Sequence, residues 1–247
     1  MGQLDGQVAV ITGGGSGIGK GIARAFAGEG CAVVLAARGQ ERLQATADEL
    51  AADGAETLAI PTDVTDEGQV QALFAQVMGR WGRVDILVNN AAAFGGGRID
   101  RLSREVWDRV IGVGLTGAFL CTCEAFGIMV DAGGGRIINI GSISGQRTRM
   151  HAAPYTVAKH GIWGLTQSTA LDGREFGIAA SCLNPGNVLV ERRADLRAKS
   201  GRDEGPEVMM ATEDIARAAL LMATLPPGTN MLEAIVLPVE QPYLGRG

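Results

Sequence analysis

Along the chain, short apolar runs alternate with longer stretches whose apolar positions recur every three or four residues. The runs at Gln7–Ile11, Ala32–Ala37, Thr57–Ile60, Val84–Val88, Arg136–Ile140, Ile178–Leu183 and Ala234–Leu237 are expected as strands. Between them the helical period predicts helices near residues 17–29, 40–52, 67–81, 103–131, 154–176 and 212–223. Several of the strands are apolar on both faces, as strands of a parallel sheet covered by helices on each side must be. Strand–helix repetition through the whole length therefore implies an α/β fold with one doubly wound, mostly parallel sheet. No Pro/Ser-rich linker breaks the order, so residues 1–247 are expected to form a single domain. One stretch departs from it: residues 188–210 are dense in charge from Glu191 to Glu207 and poor in core-type side chains, and are read as an exposed insert forming a substrate loop.

Composition narrows the function classes. The 247 residues carry a formal charge of −5, which gives no electrostatic reason to expect nucleic acid or an anionic membrane as partner. Cys31, Cys121, Cys123 and Cys182 form no CxxC pair and have only His151 and His160 as imidazole company, so they are expected as buried free thiols rather than metal ligands. Met1 to Gln7 is polar and leads straight into a strand, with neither a signal peptide's apolar segment nor a membrane span, and a cytoplasmic protein is expected.

The chemistry sits at the ends of the strands. Thr12 is followed by Gly13-Gly14-Gly15-Ser16-Gly17-Ile18-Gly19 and then by a helical segment. A glycine turn between a strand and a helix lets backbone N–H groups approach a pyrophosphate, with the helix dipole favouring the anion. Asp63-Val64 follows the third strand, and Asn89-Asn90-Ala91-Ala92 the fourth. Ser142 follows the fifth, and Tyr155 and Lys159, four apart on a helix, share one face. A phenol with pKa near ~10 exchanges protons poorly at neutral pH unless a nearby ammonium favours the phenolate. Lys159 has the spacing to supply that charge.

Taken in order and spacing, the Thr12–Gly19 loop, Asp63, the Asn pair, Ser142, Tyr155/Lys159 and Asn184-Pro185-Gly186 resemble the short-chain dehydrogenase/reductase superfamily over roughly residues 5–225. The resemblance implies a Rossmann-like domain of an oxidoreductase that moves a hydride between a nicotinamide cofactor and a secondary alcohol or ketone. Tyr155 would be the general acid/base. Lys159 would lower its pKa and bind the nicotinamide ribose, and Ser142 would orient the substrate oxygen. Gly13, Gly15, Ser16, Gly17, Ile18, Gly19, Asp63, Val64, Asn90, Tyr155, Lys159, Pro185, Gly186 and Val188 would contact the cofactor. Arg38 ends the second strand where an acidic residue would mark NAD(H), and an arginine there can pair with a 2′-phosphate, so NADP(H) is preferred and NAD(H) is the alternative. Relatives assemble as homotetramers or homodimers, and the same is expected here.

The pattern has gaps. Gly114 stands where relatives keep the Asn of an N-x-T-G segment, and Val190 where they often keep a Thr that binds the carboxamide. Gly112, Gly114 and Gly117 suit close helix packing, with packing between subunits one reading. A cofactor-binding sensor or scaffold that has lost turnover is the competing class, but an intact Ser142, Tyr155 and Lys159 argues against it. A sugar-nucleotide epimerase would use the same Tyr/Lys chemistry with a larger C-terminal substrate region than the ~60 residues after Gly186. Arg147, Arg149 and His151 lie between Ser142 and Tyr155; they are read as solvated charges, with an acidic substrate as the alternative.

Overall fold

The computed structural model describes residues 2–191 and 208–244. Seven strands, β1 (Val8–Thr12), β2 (Ala32–Ala37), β3 (Thr57–Pro61), β4 (Ile86–Asn89), β5 (Gly135–Ile140), β6 (Ile178–Pro185) and β7 (Glu233–Val236), form one sheet in the order β3-β2-β1-β4-β5-β6-β7. Every pairing is parallel. Among the described residues the α-helices are α1 (Gly17–Gly28), α2 (Gln40–Ala52), α3 (Glu67–Trp81), α4 (Arg104–Ile111), α5 (Gly117–Ala132), α6 (Ala153–Asp172) and α7 (Thr212–Thr224). This is the doubly wound sheet that the apolar pattern implies, with ends shifted by a few residues.

Strand alternation divides the core into two layers. Ala9 and Ile11 of β1, with Val33 and Leu35 of β2, pack with Ile22, Phe26, Ile215 and Ala219 of α1 and α7. The intervening Val8, Val10, Val34 and Ala36 pack on the other face with Val70, Phe74, Cys121 and Met129 of α3 and α5. Burial on both faces explains why these strands read as unbroken apolar runs.

The helix expected at 103–131 is interrupted. A π-helical turn, Gly112–Thr116, joins α4 to α5. A Cβ on Gly117 would lie 2.6 Å from a Val64 methyl, so only glycine lets α5 come this close to the segment after β3. Gly114 faces Ala158 of α6, and Gly112 faces Thr65. Within the chain, Gly117 alone of the three makes a contact too close for a side chain. The run Arg104–Ala132 is long and apolar enough by composition to cross a membrane, but α5 lays Ala118, Cys121, Ala125 and Met129 on the core at helical spacing. Most of the charged insert expected at 188–210 lies outside the described residues; Val188 and Met210, at its two ends, form a short parallel bridge.

Cys31, Cys121 and Cys182 are buried free thiols, and Cys123 is exposed, against the expectation that all four are buried. Burial pushes the Cys31 and Cys121 thiols up to about 12 and that of Cys182 to about 11, which leaves them protonated and poor nucleophiles at neutral pH. Among the described residues no group of three or more His, Cys, Asp or Glu side chains is placed to hold a metal ion.

Candidate active site

Strand order reverses between β1 and β4, and in an open parallel sheet that reversal leaves a crevice at the carboxyl ends of the strands. A cleft of about 640 Å³ opens there. Its floor is the glycine loop. Gly13 at φ +67° and Gly17 at φ +54° take left-handed conformations that a side chain would strain, and they turn the chain from β1 into α1.

Asn90 laces this loop to the neighbouring strand. Its Nδ2 donates to the carbonyls of Thr12 at 2.8 Å and Gly13 at 3.2 Å, while the backbone N–H groups of Asn90 and Ala91 both donate to Thr12 Oγ1 at 3.0 Å. Asn89 points the other way, into the core, where it donates to Asn139 Oδ1 at 2.8 Å and Thr122 Oγ1 at 3.0 Å. The two adjacent asparagines therefore have different duties, as alternation along β4 requires.

Beside the loop a smaller cleft, about 290 Å³, is lined by Gly15, Arg38, Arg42, Asp63 and Val64. Asp63 accepts from the Thr65 N–H at 3.0 Å and hydroxyl at 2.7 Å. The Thr65 backbone bond, with smaller help from its hydroxyl and the Arg38 charge, holds the Asp63 carboxyl below its usual range against partial desolvation. Arg38 lies 3.9 Å from that carboxylate and is largely exposed. Arg42, in the first turn of α2, lines both clefts and escaped the sequence reading; a second arginine four places after Arg38 was its only signal.

At the opposite end stand Ser142, Tyr155 and Lys159. Pro154 starts α6, and the four-residue spacing puts the phenol and the amine on one face. Lys159 is buried, its Nζ donates to the Ile140 carbonyl at 2.6 Å, and it lies 5.7 Å from the centre of the Tyr155 ring. It has no carboxylate partner among the described residues, and its amine lies beside the Tyr155 ring. Phe94 stacks on the Tyr155 ring with centroids 5.2 Å apart, which holds the ring in the cleft.

Ser142 is held from behind. Its N–H donates to Asn184 Oδ1 at 3.0 Å, and its Oγ accepts from the Ser144 N–H at 3.1 Å. Asn184 Nδ2 donates in turn to Glu233 Oε1 at 2.8 Å, which also receives Gln146 Nε2. Asn184 was visible in the sequence as part of Asn-Pro-Gly, but nothing local indicated that it braces the serine.

Gly13, Ser16, Gly17, Ile18, Asn90, Ser142, Tyr155, Lys159, Pro185, Gly186 and Val188 all line the main cleft. Gly15, Arg38, Asp63 and Val64 line the smaller one. Gly19 lines neither and is buried at the start of α1, where a Cβ would lie 2.5 Å from the Gly13 carbonyl oxygen. Gly114 stays behind α6, outside the cleft lining. Val190 packs over the glycine loop, and Glu191 beside it accepts a hydrogen bond from the Gly17 N–H at 3.0 Å. A carboxylate of the chain thus occupies the anion position at the N-terminus of α1.

A parallel α/β sheet with a glycine loop at its strand reversal and a Ser–Tyr–Lys cluster across the same cleft defines a Rossmann-like oxidoreductase architecture. The family model for short chain dehydrogenases matches residues 7–201. A Streptomyces coelicolor protein that carries the provisional name ketoacyl reductase is 41% identical over 199 residues, covering 80% of this chain and 76% of its own. A crystal structure of an actinorhodin polyketide ketoreductase variant with NADPH is similar at a TM-score of 0.87 and 33% identity, over 95% of this chain and 97% of that one. A metagenomic short-chain oxidoreductase in complex with NADP is similar at a TM-score of 0.84 and 32% identity, over 97% and 100% of the two chains. The chain belongs to the short-chain dehydrogenase family and is an oxidoreductase.

Proposed function

We propose that this protein interconverts a secondary alcohol and a ketone with NADP(H), using Tyr155 as general acid/base. The observation that carries the proposal is the meeting of Ser142, Tyr155 and Lys159 in the cleft whose other end is the glycine loop. The residues present fit a dinucleotide. The Gly17 N–H already binds an anionic oxygen, that of Glu191, where a pyrophosphate oxygen would replace it. Arg38 and Arg42 border the smaller cleft and suit a 2′-phosphate. Gly13, Gly15, Ser16, Ile18 and Asn90 would surround the pyrophosphate, Asp63 and Val64 the adenine, and Lys159, Pro185, Gly186 and Val188 the nicotinamide end.

When bound, the nicotinamide gives or takes the hydride. The chain supplies the proton and the alignment. The Tyr155 hydroxyl donates its proton to the substrate oxygen in reduction and takes it back in oxidation, and the nearby Lys159 charge stabilises the phenolate between those events. Ser142 hydrogen-bonds the same oxygen, and Asn184 keeps the serine backbone in register for it. The direct test is a panel of ketones and alcohols assayed with NADPH and NADP⁺ by absorbance of the reduced nicotinamide. No turnover across the panel would refute the proposal.

Cofactor preference gives a sharper test. NADP(H) is expected to bind more tightly than NAD(H), and Arg38→Ala is expected to remove roughly 1.5–3 kcal/mol of that difference, about 10-fold or more in Kd, by deleting a charge-assisted bond. Fluorescence titration of both reduced cofactors decides it. An unchanged ratio in Arg38→Ala would assign the phosphate elsewhere.

The chain would act as one domain of a cytoplasmic enzyme. It would also assemble, because Phe119 on α5 and Val157 and Leu171 on α6 expose large apolar side chains that a partner subunit would cover. Light scattering at micromolar concentration is expected to give a homodimer or homotetramer, and a monomer would contradict this.

A further inference from the structure

We propose that Arg149 is the specificity-determining residue of the cleft and receives a carboxylate on the substrate, so that the enzyme acts on oxo acids and hydroxy acids. The inference rests on the alcohol/ketone reading above and names its substrate class. Arg149 lies on the connection from Ser142 to α6 and lines the cleft together with Ser142, Tyr155 and Asn187. Its Nη2 donates to Asn187 Oδ1 at 3.2 Å, and Asn187 is itself buried, with its N–H donating to Gln241 Oε1 at 2.8 Å. Only one face of the guanidinium fork is therefore engaged.

The charge around it points the same way. In this acidic chain, Arg24, Arg83, Arg98, Arg104 and Arg217 each pair with a carboxylate on the surface. Arg149, like Arg42, Arg101, Arg109, Arg147 and Arg174, has no such partner among the described residues, and of these only Arg149 and Arg42 line the cleft. The cleft's own acidic side chain, Glu191, is taken up by the Gly17 N–H at the far end. Of the other basic side chains there, Lys159 is bound to the Ile140 carbonyl beside Tyr155, and Arg42 borders the second cleft. Arg149, exposed at the rim of the cleft, is thus the cationic side chain there that neither borders the second cleft nor is bound beside Tyr155.

The loop that carries Arg149 is also held in a strained form. His151 has φ +59°, a left-handed value unusual for a residue with a side chain. Its carbonyl accepts from the Gly97 N–H at 2.9 Å, and a Cβ on Gly96 would lie 1.9 Å from that oxygen, so two loops are clamped together at the cleft mouth. Strain of this kind persists where surrounding contacts over-determine it, and it gathers at ligand clamps. A planar guanidinium, held here through Asn187, matches a carboxylate through two parallel N–H bonds, which a lysine cannot reproduce.

The test compares C4–C8 oxo acids with their methyl esters in wild type, Arg149→Gln and Arg149→Lys. Wild type is expected to prefer the acids in kcat/KM, mainly through KM, and Arg149→Gln to reduce the acid-over-ester ratio at least ~10-fold, the scale of a lost charge-assisted bond. Arg149→Lys should restore part of it. Calorimetric titration of the NADP⁺-loaded protein with the same acids and esters reads binding without turnover, so it decides the inference even if the proposed reaction fails. Equal ratios in wild type and Arg149→Gln by both measurements would overturn it. So would an Arg149-dependent preference for coenzyme A thioesters over phosphate-free N-acetylcysteamine thioesters with no preference for acids, because that result assigns the guanidinium to a phosphate.

Discussion

Replacing Tyr155 by Phe is expected to lower kcat at least ~100-fold, the lower end for loss of a positioned general acid/base. The substitution removes one hydroxyl and keeps the ring. Stacking on Phe94 at 5.2 Å survives, and Lys159 keeps its bond to the Ile140 carbonyl, which does not involve the phenol. The fold and the cleft should therefore be retained, and thermal unfolding of the variant should match wild type. NADPH affinity, read by fluorescence titration, is expected to fall far less than turnover, since the glycine loop and Arg38 lie at the other end of the cleft. Turnover within about 10-fold of wild type would remove Tyr155 from the proton-transfer role.

The second large effect is structural and begins one residue before the serine. A Cβ on Gly141 would lie 2.1 Å from Asn184 Oδ1 and 2.8 Å from Cys182 Sγ, both on the buried strand β6. Gly141→Ala must therefore displace Asn184, which breaks its bond from the Ser142 N–H and strains the one it donates to Glu233. Overpacking a core typically costs ~1–3 kcal/mol, and a buried N–H left unpaired costs a further ~1–3 kcal/mol. For a protein of this size each kcal/mol lowers Tm by roughly 2–4 °C, so a drop of about 4–24 °C is expected by circular dichroism. Activity should fall in the fraction that remains folded, because Ser142 loses its brace. A Tm within about 2 °C of wild type would show that β6 gives way at little cost.

Much of the fold is legible in the chain because its determinants are local. Strands such as Val8–Thr12 and Ala32–Ala37 announce themselves as short β-rich apolar runs, and a strand buried on both faces needs nothing else to be recognised. The glycine loop is equally local, since left-handed turns at Gly13 and Gly17 are a property of those residues. Tyr155 and Lys159 are legible because four residues on a helix are always neighbours. The order of these motifs along the chain completed the family resemblance.

What the sequence could not determine depends on contacts between residues far apart in it. The π turn at Gly112–Thr116 looks like continuous helix by period, and it accompanies the tight seating of Gly117 on Val64. The family resemblance named Asn90 of the pair, but its bond to Thr12 across 78 positions, and Asn89's turn into the core, come from strand register. Glu191 meets Gly17 across 174 positions, and Asn184 braces Ser142 across 42. Arg149 is exposed, as a solvated charge should be, and its bond to Asn187 across 38 positions is set only by the fold. Periodicity and turn chemistry act over a few residues and so leave a mark in the sequence. A side chain's partner across the cleft is chosen by how helices and strands pack, and only the tertiary structure decides that.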